Sequence, residues 1–280
     1  MTIPVSILVL TKNEEQDLPG CLETVRWSDD IHVLDSYSDD RTVAIAESFG
    51  ANLYYRKFDC FSAHQNWAVE NISFRYPWVF YIDADERVTP ALVESIASAV
   101  ARPGDNVTFR IQRRDFFHGR WLKHVQASPF YLRLFLASKM RWARKGHPVS
   151  LPNGPVGELQ GFLDHFPFSK GLSHWILRHD KYSTEEAQQI IENRRANIPF
   201  SVQQAFLCRD FHQKRYHQKE LFYRLPGRPL LKFVLLYFFK RGFLDGSPGF
   251  TYACLQSIYE YMIVIKTREM ELRTSKYMAL

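Results

Sequence analysis

Two aspartates separated by one small residue follow a run of strand-forming side chains. Asp83 and Asp85 flank Ala84, and residues 78–82 before them are Trp, Val, Phe, Tyr and Ile, which favour a buried strand. The carboxylates must leave the core, because burying an unpaired charge is very costly. On an extended backbone they would point the same way and could hold Mg²⁺ or Mn²⁺ against a diphosphate. Isolated pairs of this kind are more often turns or helix caps, so the rest of the chain must decide.

Three further polar clusters follow apolar runs in the first third of the chain. They occupy residues 11–15, 35–42 and 56–58. Each cluster taken alone is better explained as a loop or a cap. Together with the aspartate pair they would line the carboxyl edge of one sheet, which is where open α/β sheets bind ligands.

An alternation of strand and helix patterns must position these clusters. The patterns predict strands at 5–10, 31–34, 53–55 and 78–82, and helices at 17–27, 42–49, 62–72 and 91–100. This order favours an α/β fold with a parallel, Rossmann-like sheet flanked by helices.

The pattern is less regular beyond residue 100. Strands are predicted at 107–112 and 131–136, a glycine- and proline-rich loop over the site at 143–163, and a helix at about 172–197. We expect a first domain over 1–170, a helical region over 171–223 and an apolar, basic region over 224–280.

The composition indicates a globular protein with a phosphate-bearing partner. The 280 residues are 46% hydrophobic and 24% charged with a net charge of +6, which suits a nucleotide, a nucleic acid or an anionic membrane. The four cysteines are far apart, which argues against a metal knuckle or a disulfide framework. No signal peptide is recognisable, so we expect a cytoplasmic protein.

Three motifs resemble the opening of family 2 glycosyltransferases of GT-A fold. They are SILVLTKNE at 6–14, VLDSYSDDRT at 33–42 and YIDADE at 81–86, and their order and spacing match. The later residues resemble a bacterial branch, the membrane-associated glucosyltransferases of lipooligosaccharide core and exopolysaccharide assembly. That likeness rests on residues 165–171, 174–175, 178–183 and 242–246.

The resemblance implies an inverting, metal-dependent transferase that moves a hexose from a UDP-sugar, with UDP-glucose as the expected donor. The acceptor would be a lipid-linked or lipopolysaccharide-type saccharide, and the cofactor Mn²⁺ or Mg²⁺. The first domain would then bind the nucleotide sugar and catalyse transfer, and residues 171–223 would lie on the acceptor side. Polyprenyl phosphate is an alternative acceptor.

Site residues carry over from the family by motif. Glu14 and Asp35 would contact the nucleoside, with Asp35 accepting from the uracil imide, while Asp83 would face the ribose or diphosphate and Asp85 would ligate the metal. The nucleotide pocket would also include Thr11, Asn13, Arg41 and Lys57, with Lys170 as a point charge beside the departing phosphate. Metal ligands would be Asp85, Asp83 and His165, although His165 is equally well explained as a core histidine.

The general base is the place where this chain departs from the resemblance. An inverting displacement needs a base near the attacking hydroxyl, and relatives usually carry an acid just after a Gly-His element. Here His147 is followed by Pro148. The candidates are therefore His147, Glu158 and Asp164, and we favour His147 because an imidazole accepts a proton near neutral pH. The same departure keeps open an inactive scaffold on this fold.

Residues 224–266 combine apolar and aromatic stretches with basic flanks, a pattern typical of helices that lie on anionic bilayers. We expect a peripheral protein on the inner face of the cell membrane, although an ordinary buried helical hairpin has a similar pattern. A spanning helix is disfavoured by length. The acids at the predicted sheet edge argue against the other class, a nucleic-acid-binding module, for which the basic, aromatic stretch 209–224 is the motivation.

Overall fold

The chain forms two compact units in a computed structural model. The structure describes residues 2–126, 128–143, 148–196, 199–208 and 211–278. The first unit comprises 1–121 and 128–169, and the second comprises 122–127 and 170–280. The predicted division at residue 170 therefore lies at the boundary between units, whereas 171–223 and 224–280 belong to one unit.

Strands and helices alternate through the first part of the first unit. They are β1 (Ser6–Thr11), α1 (Leu18–Thr24), β2 (Ile31–Asp35), α2 (Thr42–Ser48), β3 (Asn52–Tyr55), α3 (Phe61–Asn71) and β4 (Trp78–Asp83). The four strands are parallel in the order β3-β2-β1-β4. The sequence prediction is confirmed here, because strands covered by helices on both faces appear as continuous apolar runs.

The rest of the first unit extends this sheet with mixed strand directions. The elements are β5 (Glu86–Val88), α4 (Pro90–Ala101), β6 (Thr108–Phe117), β7 (Arg120–Trp121), β8 (Phe130–Leu136), β9 (Met140–Ala143), β10 (Val149–Pro152) and β11 (Val156–His165). The strand path is β3-β2-β1-β4-β8-β6-β11-β5, with β7 beside β6, and β9 and β10 form a separate ribbon.

The prediction of a loop over 143–163 is wrong, because β10 and β11 lie there. Two of the glycines, Gly157 and Gly161, lie within β11 in close packing. Gly161 has a φ of 93°, and a Cβ at this position would lie 2.7 Å from the backbone nitrogen of Leu92 in α4. The strand register also shifts between Glu158 and Phe162, which is a bulge of the kind glycine permits.

The sheet must curl, because β4 and β5 are joined by only two residues. Neighbouring strands lie about 4.8 Å apart, so a flat sheet would separate β4 from β5 by about 19 Å over four strand spacings. The chain from Asp83 to Glu86 spans at most about 11 Å. Curling brings β11 and β5 toward the carboxyl end of β4.

Two hydrophobic clusters cover the two faces of this sheet. Ile7 and Val9 of β1 pack with residues of α1, α2 and α4. Leu8, on the opposite face, packs with Ala68 of α3 and with Trp142. Alternate residues of one strand thus serve both clusters, which holds the carboxyl ends of the strands in place.

The second unit is helical. Its elements are α5 (Gly171–Arg195), α6 (Val202–Leu207), α7 (Phe211–Arg224), α8 (Arg228–Val234), a π-helical turn (Leu235–Phe239), a 3₁₀ turn (Gly242–Asp245) and α9 (Gly246–Met278). A buried ion pair joins α8 to α9, with Arg228 Nε 3.0 Å from Glu260 Oε1. None of the helices in the described ranges combines the length and apolarity that crossing a membrane requires.

Candidate active site

The carboxyl ends of the parallel strands bring three predicted side chains to one edge. In the strand register Thr11 of β1 is opposite Asp35 of β2, and Leu10 is opposite Asp83 of β4. Arg56 follows β3 directly, and its amide donates to the carbonyl of Asp35 at 3.1 Å. The sheet therefore brings the polar clusters together at this edge, as the sequence predicted.

The loops after β1 and β2 are joined by hydrogen bonds. The Asn13 amide donates to Ser38 Oγ at 2.8 Å, and the Asp39 amide donates to Asn13 Oδ1 at 3.1 Å. The Glu14 amide donates to Thr42 Oγ1 at 2.7 Å. Asn13 has a left-handed φ of 55°, an uncommon conformation that asparagine tolerates better than most residues. These contacts hold the loops after β1 and β2 in one arrangement.

Asp35 orders the loop that follows it. Its carboxylate is fully buried and accepts from Thr11 Oγ1 at 2.8 Å and from the Ser38 amide and hydroxyl at 2.7 and 2.6 Å. This geometry gives the side chain a structural role, and its predicted contact with uracil stays a prediction. The exposed rings beside it are Tyr37 and Tyr55, whose centroids lie 5.9 Å apart.

His64, which sequence reasoning missed, lies behind the loop that follows β2. His64 Nε2 is 3.2 Å from Ser36 Oγ, and Arg56 Nη1 is 2.8 Å from His64 Nδ1. Burial and the Arg56 guanidinium lower the pKa of His64 to about 4. The ring is therefore neutral at physiological pH and accepts from Arg56, which links the loops after β2 and β3.

Asp83 is held in place by two buried side chains, Tyr81 and Arg133. Tyr81 Oη donates to Asp83 Oδ1 at 2.5 Å, and Arg133 Nη2 donates to Asp83 Oδ2 at 2.6 Å. Arg133 Nη2 also donates to Glu86 Oε1 at 2.7 Å. Burial raises the pKa of the Glu86 carboxyl, which the Arg133 charge opposes. Each oxygen of Asp83 already accepts one hydrogen bond, and its predicted role as a metal ligand stays a prediction.

Asp85 lies in a tight turn between β4 and β5, so the expectation of an extended backbone for the aspartate pair is wrong. The curled sheet places His165, at the end of β11, beside this turn. His165 Nε2 is 3.2 Å from Asp85 Oδ2, and His165 Nδ1 contacts Asp115 Oδ1. Although burial lowers it, the Asp85 and Asp115 carboxylates raise the pKa of His165 to about 9.

The Asp85–His165 pair has a hydrogen-bond spacing, which two adjacent ligands of a divalent cation would also have. Two ligand atoms at right angles, each about 2.1 Å from Mg²⁺, lie about 3 Å apart, which matches the observed 3.2 Å. Imidazole and carboxylate together suit Mn²⁺ as well. Asp115 orients the imidazole from behind, as outer carboxylates do at metal sites. In the part of the chain that the structure describes, no group of three or more His, Cys, Asp or Glu is placed to hold a metal.

The remaining predicted cations do not converge on this pair in the same way. Arg41 pairs with Glu15 at 3.2 Å and is largely exposed, and Lys57 is exposed after β3. Lys170 caps α5 at the start of the second unit. Their nucleotide contacts stay predictions.

Two of the three candidates for the general base are placed unfavourably. Glu158 is on β11 seven residues from His165, which is about 20 Å along a strand, and it pairs with Arg110 at 2.7 Å. Asp164 receives two bonds from Arg114, at 2.6 and 2.8 Å, and strand alternation points it away from the face of His165. His147 lies outside the described residues.

A cavity of about 440 Å³ borders the aspartate turn. The Phe166 amide, on its wall, donates to the carbonyl of Asp85 at 2.9 Å. The cavity is lined by Asp17, Arg87, Phe116, His118, Gly119, Phe166, Phe168 and Ser169. His118 is exposed and stacks on Phe117 with ring centroids 4.1 Å apart. Asp17, the other proton acceptor on the wall, accepts from Ser169 Oγ at 2.7 Å.

Sequence reasoning missed Arg133, Asp115 and His118, although the first two had a signal. Arg133 is a single cation inside the apolar strand FYLRLFL, and a charge inside a strand of that kind predicts a buried partner. Asp115 similarly precedes two phenylalanines at the end of β6. His118 lies in a turn and had no pattern to mark it.

The fold and this edge define a class of protein. A curled mixed α/β sheet flanked by helices, with an aspartate turn at its parallel edge, fits the GT-A fold of sugar transferases. Residues 6–153, just over half of the chain, match the model of the family described as Glycosyl transferase family 2, and the chain belongs to that family.

Curated relatives match along almost the whole chain. The lipopolysaccharide core biosynthesis glycosyltransferase LpsC of Rhizobium meliloti (strain 1021) is 28% identical over 275 residues, which cover 94% of this chain and 92% of LpsC. An uncharacterized glycosyltransferase of Rickettsia typhi (strain ATCC VR-144 / Wilmington) is 22% identical, covering 98% of this chain and 90% of its own length.

Solved structures match more remotely, and each of the two named here is covered over less than two thirds of its length. S. aureus TarS is 14% identical with a TM-score of 0.42, covering 91% of this chain and 55% of TarS. A glucosyl-3-phosphoglycerate synthase from Mycobacterium tuberculosis, in complex with Mn²⁺, UDP and glucosyl-3-phosphoglycerate, is 19% identical with a TM-score of 0.32, covering 42% of this chain and 45% of the synthase.

Proposed function

We propose that this protein is an inverting transferase that moves a hexose from a UDP-sugar, with UDP-glucose as the donor, onto a lipopolysaccharide-type saccharide. Membership of family 2 supports the reaction class, and the likeness to LpsC supports the acceptor class. The observation that carries the proposal is the Asp85–His165 pair, because Asp85 lies at the end of β4 and His165 directly precedes Phe166, which lines the cavity.

The donor nucleotide would lie along the loops after β1 and β2. Tyr37 and Tyr55 form an exposed aromatic pair on which a nucleobase can stack. Asp83, oriented by Tyr81 and Arg133, would receive the ribose hydroxyls. The diphosphate would then extend toward the turn that carries Asp85.

Asp85 and His165 would hold Mn²⁺ or Mg²⁺ together with diphosphate oxygens. A bound divalent cation neutralises the charge that develops on the departing diphosphate. To serve as a ligand, His165 must first release the proton that Asp85 and Asp115 favour. Asp115 then keeps the imidazole oriented through Nδ1.

The acceptor saccharide would enter the cavity beside the turn. Phe116 and Phe166, stacked with centroids 5.3 Å apart, offer an apolar wall to the nonpolar faces of a sugar ring. His118 would take the proton from the attacking hydroxyl while the new C–O bond forms and the bond to the diphosphate breaks. We prefer His118 to Asp17, since the Asp17 carboxylate already accepts from Ser169.

We place the protein on the cytoplasmic face of the cell membrane, where a nucleotide-sugar donor and a membrane-borne saccharide acceptor would meet. The support is the basic, apolar composition of residues 224–266.

Isothermal titration with UDP, with and without Mn²⁺, tests the donor site. We expect Mn²⁺-dependent binding in the wild type and its loss in Asp85→Ala. Glu158→Gln is the matched control, because this carboxylate lies on the same strand as His165 but far from the turn. Failure of the folded wild type to bind UDP under either condition would refute the uridine donor.

A transfer assay tests the reaction and the base. Purified core saccharide and UDP-glucose should yield a product with inverted anomeric configuration. His118→Gln should lower kcat far more than the affinity for UDP, since the ring is assigned to the acceptor side. Equal kcat in this variant would exclude His118 as the base.

A further inference from the structure

Several exposed apolar side chains of the second unit lie close together in sequence between α8 and α9. We call residues 228–250 the α8–α9 hairpin and residues 238–244 its tip. At the tip Phe239 is 77% exposed and Phe238 is 56% exposed, with Phe243 and Leu244 about half exposed. Tyr237 contacts the rings of Phe238 and Phe243, with centroids 5.2 and 6.2 Å away. Single exposed apolar residues are ordinary, whereas a contiguous patch marks an interaction site.

The backbone of the tip is built to present these rings. The Lys240 amide donates to the Leu235 carbonyl at 2.8 Å, which closes the π-helical turn. A Cβ at Gly249 would lie 2.2 Å from the carbonyl oxygen of Gly242, so the 3₁₀ turn packs closely against the start of α9. The buried Asp245 carboxylate accepts from the amides of residues 124 and 125 at 2.9 and 2.8 Å. The tip is therefore anchored and not a frayed end.

The charge around the tip is of one sign. Between Glu220 and Asp245 the chain has no acidic residue and five cations. Lys240 and Arg241 are exposed at the tip itself, and the first acid after them, Asp245, is buried against backbone amides. Anionic lipid attracts exposed cations of this kind, while the neighbouring rings enter the headgroup boundary.

We infer that the α8–α9 hairpin docks this protein on an anionic lipid bilayer. Phe238, Phe239, Phe243 and Leu244 enter the boundary between headgroups and acyl chains, and Lys240 and Arg241 contact lipid phosphates. This inference deepens the proposed membrane location and rests on it only for the biological setting, because docking needs no transfer chemistry.

Co-sedimentation of the full chain with vesicles tests the docking surface. Vesicles of phosphatidylcholine with roughly one third phosphatidylglycerol should pellet the wild type, and pure phosphatidylcholine should do so much less. The double variant Phe238→Ser/Phe239→Ser should lower the partition coefficient by about tenfold or more, since two rings lose their burial. Phe206→Ser on α6, also an exposed phenylalanine of this unit, should partition as the wild type does.

A second pair of variants tests the charges. Lys240→Glu/Arg241→Glu should abolish the preference for anionic vesicles, whereas Arg268→Glu, an exposed cation of α9, should keep it. Wild-type partitioning of both tip variants would overturn the inference, as would an equal loss in Phe206→Ser. Self-association that depends on the tip, without vesicle binding, would assign the surface to a second copy instead.

UDP binding in solution separates this inference from the proposed function. Tip variants should bind UDP as the wild type does. The changed residues are in the second unit, whereas the proposed donor site is in the first unit. A protein that docks on vesicles but binds no UDP would retain the docking surface and lose the transferase assignment.

Discussion

The first unit buries Arg133, Glu86 and Asp115 beneath the aspartate turn, whereas the second unit exposes Phe238 and Phe239 at the tip of its hairpin. Buried charges need partners to offset their desolvation, and exposed rings form a patch that favours association. Globular proteins usually have an apolar core and a polar surface, whereas the first unit has charges in its core and the second unit has aromatic rings on its surface. Such departures are expected where function requires them, and the two regions coincide with the proposed cation site and the proposed lipid surface.

The largest expected effect is the loss of transferase activity when the aspartate turn of the first unit is changed. Asp85→Ala should lower kcat/KM by about 1000-fold, because losing a cation ligand removes several kcal/mol of charge stabilisation. The measurement is transfer kinetics at saturating Mn²⁺. Glu158→Gln should stay within about threefold of the wild type, since its ion pair with Arg110 is exposed. An active Asp85→Ala protein would remove the turn from the mechanism.

The next effect concerns stability. Arg133→Met should lower the free energy of unfolding by about 3–5 kcal/mol, because it leaves the buried Glu86 with the more distant Arg113, 3.7 Å away, as its cation. Urea unfolding provides the measurement. Arg110→Met is the control, since it breaks an exposed ion pair and should cost at most about 1 kcal/mol. Adding Glu86→Gln to Arg133→Met should restore part of the loss, and equal losses for the two arginines would contradict a buried network.

The pH dependence of stability tests the contacts of His165 with Asp85 and Asp115. In the metal-free protein His165 has a pKa of about 9, raised by Asp85 and Asp115 against the effect of burial. The folded protein therefore binds this proton more tightly than the unfolded chain, whose histidine pKa is about 6.5. The contribution of this proton to the free energy of unfolding should be fully present below pH 6.5. It should fall by about 2–3 kcal/mol as the pH rises through 9. His165→Gln should flatten this slope in urea unfolding, and an unchanged slope would refute the assignment.

A smaller effect tests the exposed aromatic pair of the first unit. Tyr37→Ala should weaken UDP binding by about tenfold with little change in kcat, because stacking on a base contributes about 1–3 kcal/mol. Titration of UDP measures this directly. Tyr261→Ala, another exposed tyrosine, should bind UDP normally, and an unchanged affinity in Tyr37→Ala would place the base elsewhere.

The smallest expected effect completes the comparison between units. Phe239→Ser should change the free energy of unfolding by less than about 0.5 kcal/mol, because the ring has little burial to lose. Phe80→Ala in β4, a fully buried ring, should cost about 3–5 kcal/mol. Thermal unfolding of both variants measures these changes. A large loss of stability in Phe239→Ser would mean that the ring packs within the unit.

The sequence predicted the early elements better than the later ones for a physical reason. Strands β1, β2 and β4 are buried on both faces, so each is a continuous apolar run that ends where polar residues begin. The loop prediction for residues 143–163 is wrong, because Gly161 of β11 permits a close approach to α4 that no local pattern reveals. Periodicity reports which residues are apolar and says nothing about backbone packing between distant segments.

The sequence by itself therefore determined the family, the parallel strands of the first third and the edge at which the polar loops gather. The tertiary structure alone decided which groups meet there. Asp83 and Asp85 are nearly adjacent in the chain, yet Asp83 pairs with Arg133 and Asp85 with His165. The short β4–β5 connection curls the sheet, and the registers of β6, β8 and β11 then set the partners, since strand pairing joins residues that local sequence leaves unrelated.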